Sequence, residues 1–474
     1  MQQTHGTNDT IVAISTPPGR GGIGIVRLSG PEARAIAEGL VRLRRPLEPG
    51  RARFAEVLEG TDGESAPGAV LDEAVVTWFR APHSYTSEDV VEIAGHGAPV
   101  LLDALLRQCV ARGARLAEPG EFTQRAFLSG RIDLPQAEAV HDLIEATTLE
   151  QARTAARQMG GALSKQVQPI KTELIALIAA LEAGIDFAED DLDLLPEAEI
   201  GRRIAVVAAP LEALEETFAY GRVLREGLRL ALAGRPNAGK SSLFNRLIRR
   251  DRAIVTAQPG TTRDPITEQM ELGGIPVELI DTAGLRASVD EAEQMGIAKS
   301  REAMVEADVV LLVLAANQPL DAEDVAALEA TRARGFDALV VINKMDLSAE
   351  PSVAERSLAA LGGAALGGQG EAVVRTCALD GTGVAALREA ILGRLRSTPP
   401  SADTAILTNL RQHQAVSAAV RSLKAAEAAV GAGTPHEMLL LDLYEALQAL
   451  DGLTGTTTSE DVLNLIFSTF CIGK

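Results

Sequence analysis

Gly234-Arg235-Pro236-Asn237-Ala238-Gly239-Lys240-Ser241 is the stretch that decides the fold of the central third of this 474-residue chain. It fits Gly-x4-Gly-Lys-Ser, follows the apolar run 228–233 and precedes a helical pattern, the strand–loop–helix setting this motif requires. The glycines let the backbone curl until successive N–H groups face phosphate oxygens, and the helix N-terminus behind them adds attraction for an anion. Lys240 is placed for the β- and γ-phosphates, the Ser241 hydroxyl for Mg2+, and Ser242 for the phosphates behind it. A glycine-rich turn with a surface lysine is the bland alternative, and three downstream motifs remove it. Asp281-Thr282-Ala283-Gly284 ends the run through Ile280, so Asp281 can hold Mg2+ through its shell and the Gly284 N–H can sense the γ-phosphate. Asn343-Lys344-Met345-Asp346 ends the run 338–342, and Asp346 can accept both the N1–H and the exocyclic amine of guanine. Adenine lacks that donor pair and would leave a carboxylate unpaired. Gly260-Thr261-Thr262 lies between the first two motifs, with Thr262 able to complete the Mg2+ shell when GTP is present. The set points to GTP as substrate.

Working outward, apolar runs at 228–233, 277–280, 309–314, 338–342 and 373–376 alternate with helical patterns, as buried strands in βαβ order do. The Ser/Thr/Pro-rich piece 397–403 closes this section. Residues 8–129 instead mix short alternations (23–28, 74–79 and 90–93) with Gly/Pro punctuation, the texture of an α+β domain. From Leu134 the spacing turns helical, with Leu134, Ala137, Val140, His141 and Ile144 near one face, and the acidic run 189–193 marks a loop. The expected architecture is multidomain α/β + α. It comprises an N-terminal domain at 1–129, a helical domain in two parts at 130–222 and 399–474, and a Ras-like P-loop GTPase domain inserted at 223–398.

Composition bounds the rest. Hydrophobic content of 46% with 23% charged residues is that of a globular protein, and with 3% aromatics and one Trp (Trp78) the cores must be aliphatic. A net charge of −20 disfavours strong independent binding to nucleic acid, so an RNA partner would be shared with a basic protein. Cys109, Cys377 and Cys471 are scattered and odd in number, which suits a reducing compartment and draws no metal or disulfide framework. Residues 1–10 are polar, and no apolar run approaches the roughly 20 residues that span a bilayer. A cytoplasmic protein without a membrane partner is expected.

Leu285 follows Asp281-Thr282-Ala283-Gly284, where Ras-like proteins place a water-orienting glutamine, and a leucine cannot orient water. Arg263 and Arg286 are nearby, but neither is signalled as an arginine finger, so another group must neutralise charge developing between the phosphates. From Thr10 to Lys474 the chain resembles the MnmE/TrmE family of tRNA-modification GTPases. The blocks that carry the resemblance include Ser15-Thr16-Pro17-Pro18-Gly19-Arg20-Gly21-Gly22, Tyr85-Thr86-Ser87-Glu88-Asp89 and Pro119-Gly120-Glu121-Phe122-Thr123-Gln124-Arg125-Ala126-Phe127. Asp133-Leu134-Pro135-Gln136-Ala137-Glu138-Ala139, Gly260-Thr261-Thr262-Arg263-Asp264 and Phe470-Cys471-Ile472-Gly473-Lys474 complete them.

The resemblance implies a K+-dependent GTPase whose G domains meet when GTP binds. The Asn237 side chain and carbonyls of the loop 256–261, from Thr256, Gln258 and Thr261, would hold K+ where an arginine finger puts its charge. Glu293 would orient the attacking water through a second water. Asn237 bracing its loop and Glu293 as a solvated helix charge are the plainer alternatives. The N-terminal domain is similar to the folate-binding fold of aminomethyltransferases, so Arg27, Glu92, Arg131 and Lys474 match positions that contact a tetrahydrofolate one-carbon carrier, in its 5,10-methylene or 5-formyl form. A surface charge is the plainer alternative for each. Cys471 has three readings: an apolar group packing or lining the site beside a helix opened by Thr457-x-x-Glu460, a reactive thiol, or a poor prenylation box.

The resemblance further implies a homodimer that works with an FAD-dependent partner of the MnmG/GidA family. Together they would add an aminomethyl or carboxymethylaminomethyl group to C5 of the wobble uridine in certain tRNAs, with FAD on the partner only. A ribosome-assembly type of GTPase switch and a GTP-regulated folate-dependent methyltransferase are the competing functions. Departures from the family pattern are Ala257-Gln258-Pro259 for Asp-Ile-Ala and Cys377-Ala378-Leu379 for a Ser-Ala start, which leaves the base contact of that loop to the Ala378 backbone. Ser87 and Ala98 also stand where glycines are usual, and Arg131 where Lys is also found.

Overall fold

The computed structural model describes residues 9–59, 68–186, 195–248, 266–281, 307–333, 337–348, 351–360, 373–394, 405–457 and 460–473. Its contacts divide the chain into two compact units, one of 1–141, 159–167 and 447–474, the other of 142–158 and 168–446.

The first unit is built on a seven-stranded sheet of β1 (Ile11–Ile14), β2 (Gly21–Ser29), β3 (Val41–Leu43), β4 (Ala52–Leu58), β5 (Val70–Phe79), β6 (Val90–Gly97) and β7 (Arg115–Leu116), ordered β3-β4-β5-β6-β2-β1-β7. All neighbours are antiparallel except β1 and β7. Period-two alternation explains which face is covered: Ala74, Val76 and Trp78 of β5 are buried, whereas Val75 between them is exposed. The helices Ala33–Leu40 and Pro99–Ala111 bury Ile36, Leu40, Leu102 and Leu105 in the same core.

This unit also holds a buried ion network. Arg125, 8% exposed, binds Asp9, Glu88 and Glu121, while Arg115 binds Asp9 and Glu121. Burial pushes the Glu121 carboxyl up, but bonds from Arg115, the Glu118 N–H and Arg125 outweigh it and hold the group below its ordinary value. A depressed carboxylate stabilises the fold above its unfolded pKa of about 4.3, and this contribution is lost as pH falls below it. Arg125→Ala leaves Glu88 without its cation and Asp9 and Glu121 to Arg115 alone, and is expected to cost about 3–5 kcal/mol, read from denaturant unfolding. A loss below about 1 kcal/mol would reduce the network to a solvated surface set.

Segment 470–473 belongs to this unit because it adds to the sheet's loop end. Pro119 bridges Ile472, the Gly120 N–H donates to Cys471 O at 3.4 Å, and Ser15 Oγ donates to Gly473 O at 3.1 Å. Gly473 has φ +95°, and a Cβ there would lie 2.5 Å from Ile14 O. Phe470 and Phe467 pack with Leu134, Ala137 and Leu463, so residues expected to close a helical domain at 399–474 group in part with the N-terminal sheet. Ile144, placed by its spacing on the buried face, is 42% exposed.

The second unit contains a six-stranded sheet of β8 (Leu228–Ala233), β9 (Ile266–Leu272), β10 (Ile275–Asp281), β11 (Val309–Ala315), β12 (Asp337–Asn343) and β13 (Val373–Arg375), ordered β13-β12-β11-β8-β10-β9. Only β9 runs antiparallel to its neighbour. Both faces are buried. Leu230, Leu232, Leu311, Val313, Leu339 and Val341 fill one core, and Ala231, Ala233, Val310, Leu312, Val340 and Ile342 the other, which is why these strands read as unbroken apolar runs. The chain leaves β8 to one side for β10 and returns on its other side for β11, so β8 is the topological switch point, where α/β sheets bind ligands.

Helices flank this sheet in sequence. Glu197–Glu216 packs along Leu410–Gly431; the first helix buries Ile200, Ile204, Val207 and Leu211, and the second Val416, Ala419, Val420 and Leu423. Asn409 caps the second helix, its side chain accepting from Gln412 N at 2.8 Å. The returning chain is pinned by Leu407 N donating to Thr217 Oγ1 at 3.0 Å and Gln158 Nε2 donating to Ile406 O at 2.6 Å. The expected loop at 189–193 lies outside the described residues. Among the described residues no helix is long and apolar enough to cross a membrane.

Candidate nucleotide and folate sites

β8 ends at Ala233, and the loop 234–239 turns into the helix Lys240–Ile248. Gly234 takes φ +132° and Gly239 φ +95°, and Asn237 also sits in the left-handed region at φ +63°. An asparagine tolerates that region better than most residues. A Cβ on Gly234 would meet Val313 O of β11, and one on Gly239 would meet Asn343 Nδ2. Gly239→Ala is therefore strained twice and is expected to weaken binding of a fluorescent GDP analogue by at least about tenfold. Parent affinity in that variant would show that the loop can give way.

Lys240 is 6% exposed and donates from Nζ to Gly234 O and Arg235 O, both at 2.7 Å, which holds its charge under the loop. Asn237, Ser241 and Ser242 are exposed at the rim, and Ala238 is buried. Arg235 ties the loop outward, pairing with Asp321 and with the buried Asp324 at 2.8 Å each. Those two aspartates also cap one another's N–H groups at the start of the helix Ala322–Ala333. No motif position foretold this brace.

At the end of β12, Asn343 joins two loops. Its Nδ2 donates to Ala238 O at 3.2 Å and to Gly239 O at 3.4 Å, and its Oδ1 accepts from Ala378 N at 3.0 Å and Thr376 Oγ1 at 3.3 Å. The Ala378 N–H expected to face the base is thus given to Asn343 in this conformation. Lys344 follows at φ +64°, and the 3-10 turn Met345–Leu347 carries Asp346. Cys377 Sγ donates to Asp346 Oδ1 at 3.2 Å.

Between these loops lies a cavity of about 450 Å³, lined by Gly239, Ser242, Asn343, Lys344, Asp346 and Ala378 together with Asn245, Arg246, Leu347 and Leu379. Sequence reasoning missed the last four. Ser242, Asn245 and Arg246 stand three and four residues apart on one helix face, a spacing that could have flagged them. Asp281 closes β10, paired in register with Leu232 of β8. Thr256, Gln258, Thr261, Thr262, Gly284, Leu285 and Glu293 lie outside the described residues. The structure therefore brings together the loop 234–239 and the residues expected to face the base.

In the other unit, Arg27 of β2 and Glu92 of β6 are opposite each other in register, and Arg27 Nε and Nη2 donate to Glu92 Oε1 at 2.9 and 2.8 Å. Arg27 Nη1 also donates to Gly473 O at 3.4 Å, and the guanidinium lies 5.7 Å from the centre of the Phe122 ring. Tyr85 OH is 3.0 Å from Thr123 Oγ1; burial raises the phenol, and the Thr123 hydrogen bond and the charges of Arg27 and Arg131 oppose the shift. Arg131 and Cys471 are exposed. Lys474 lies outside the described residues, as do Thr458 and Ser459 in the first turn expected after Thr457. Arg27 and Glu92 thus meet as a pair, beside the segment that carries Cys471. Among the described residues no group of three or more His, Cys, Asp or Glu forms a metal cluster.

Comparison with known proteins supplies the context. A model of the MnmE helical domain matches residues 134–471, and one of the GTP-binding protein TrmE N-terminus matches 10–131. Curated proteins called tRNA modification GTPase MnmE match over nearly the whole chain. That of Koribacter versatilis is 55% identical, covering 98% of this chain and 99% of its own. Those of Chloroflexus aurantiacus and Nitrosomonas europaea are 44% and 41% identical, covering 98% and 99% of this chain and all of theirs.

Proposed function

The chain belongs to the MnmE family of tRNA modification GTPases, and from that premise we propose that it hydrolyses GTP to drive a one-carbon-derived modification at C5 of the wobble uridine in certain tRNAs. The observation that carries the nucleotide half is Asn343, which locks the phosphate loop to the base loop at the edge of a cavity lined by Asp346.

In this reading Asp346 accepts the two donors of guanine's edge, and the Lys344 stem and Leu379 form the walls of the base slot. Lys240, Gly239 and the following N–H groups take the β- and γ-phosphate charge. Water attacks the γ-phosphorus as the bond to the β–γ bridging oxygen breaks, giving GDP and phosphate. Glu293 orients that water, since Leu285 cannot. When bound, Mg2+ at Ser241 and Thr262 and K+ at Asn237, Thr256, Gln258 and Thr261 supply the positive charge that an arginine finger supplies elsewhere. The exposed Asn237 side chain at the loop rim suits an oxygen ligand to a monovalent ion.

Arg27, Glu92, Arg131 and Lys474 form the proposed folate end in the domain at 1–129. A carboxylate for pterin N–H groups and cations for a glutamate tail match the chemistry of tetrahydrofolate, which supplies the one-carbon unit when bound. The Arg27–Glu92 pair supports the assignment because it fixes a carboxylate and a guanidinium together, the guanidinium beside Phe122 and the segment with Cys471. A basic FAD-dependent partner of the MnmG/GidA type would supply the tRNA-facing surface that a chain of net charge −20 lacks. The protein acts in the cytoplasm as a homodimer.

GTP turnover in KCl against NaCl at equal ionic strength tests the ion assignment. Turnover at least about tenfold faster in KCl is expected; equal rates would remove K+ from the mechanism.

A further inference from the structure

Arg235 fills the first free position of Gly-x4-Gly-Lys-Ser, where the motif asks for no particular side chain, yet its guanidinium is bound three times. Nη1 donates to Asp321 Oδ2 at 2.8 Å, Nη2 donates to Pro319 O at 2.9 Å, and Nε lies 2.8 Å from Asp324 Oδ2. The anchor is rooted in a core. Asp324 is 1% exposed, and the helix Ala322–Ala333 that carries it buries Leu328 among Val310, Leu312 and Val340. The backbone of Arg235 faces the other way, its carbonyl accepting from Lys240 Nζ at 2.7 Å. The second carbonyl under that ammonium belongs to Gly234, which has no side chain to hold it, and the ring of Pro236 fixes the next φ.

We propose that Arg235 is a positioning residue for the phosphates: its side chain, clamped to the start of the helix Ala322–Ala333, fixes the carbonyl that sets where the Lys240 ammonium stands. The proposal rests on Lys240 taking β-phosphate charge. Charge-assisted bonds from a planar guanidinium hold direction as well as distance. Without them the loop 234–239 has to be ordered when the nucleotide arrives, and that cost is taken from binding.

Affinities of the full chain for GDP and GMP, from competition with a fluorescent GDP analogue, test this in the parent, Arg235→Ala, Lys240→Ala and the double variant. GMP lacks the β-phosphate, so the ratio of the two affinities reads that contact alone. Arg235→Ala is expected to lower the ratio by about three- to tenfold, with GMP little changed. Where Lys240 is already alanine, the same substitution should move the ratio by less than about twofold, because no ammonium is left to place. A parent ratio in Arg235→Ala, an equal fall for GDP and GMP, or the same factor in both backgrounds would make the guanidinium a structural tie and overturn the proposal. Asp321→Asn, which weakens the more exposed anchor, repeats the cycle if Arg235→Ala fails to fold, with the same outcomes deciding. Lys240→Ala alone separates the two levels. If it leaves the ratio at the parent value, the phosphate role of Lys240 itself fails, whatever Arg235 does.

Discussion

Asp346→Asn is expected to lower GTP affinity by about 100-fold or more and to give the chain a preference for xanthosine triphosphate. The carboxylate lines the cavity from the turn Met345–Leu347, two residues beyond the left-handed Lys344. An amide in its place presents one acceptor and one donor. Guanine offers two donors, so the amide N–H₂ would face the exocyclic amine unpaired, and two charge-assisted bonds would be lost at roughly 1.5–3 kcal/mol each. Xanthine replaces that amine by a carbonyl and fits the amide. Competition of xanthosine and guanosine nucleotides for the variant checks this; unchanged guanine preference would mean that another group reads the base.

Lys240→Ala is expected to lower GTP turnover by about 100- to 1000-fold, the loss typical of removing one preorganised group from a charge-stabilising site. The side chain is buried beneath its own loop and held by the carbonyls of Gly234 and Arg235. Those carbonyls hold the ammonium in readiness for the phosphates. Single-turnover rates at saturating GTP, with thermal unfolding as a control for folding, measure it. Turnover within about threefold of the parent, in a folded variant, would place the phosphate charge elsewhere.

The nucleotide half was the most legible part of the chain because its chemistry is local. A phosphate loop needs glycines where a Cβ would strike Val313 or Asn343, so steric necessity writes itself into adjacent residues. The strands β8, β10, β11 and β12 were legible for a related reason: a sheet covered on both faces yields unbroken apolar runs. β9 was not. Its residues alternate, with Met270 and Leu272 buried and Gln269 exposed, and an edge strand with one wet face gives too weak a signal. The Arg235 brace and the Cys377–Asp346 bond escaped because they join residues 86 and 31 positions apart. The same distance hid the docking of 470–473 against Pro119, Gly120 and Ser15, which draws residues more than three hundred positions apart into one unit. The residues proposed for folate were picked out only through family resemblance. Arg27 and Glu92 are 65 positions apart and carry no local motif, yet antiparallel pairing of β2 and β6 puts them side by side.

Nucleoside mass spectrometry of tRNA tests the central claim most directly. A strain lacking its own copy of this gene would be complemented with the parent chain or with Lys240→Ala at matched protein levels. Restored C5-modified wobble uridine with the parent, and its absence with Lys240→Ala, is the result predicted for a GTPase whose hydrolysis drives the modification. Full modification in the uncomplemented strain, or equal restoration by both forms, would contradict it.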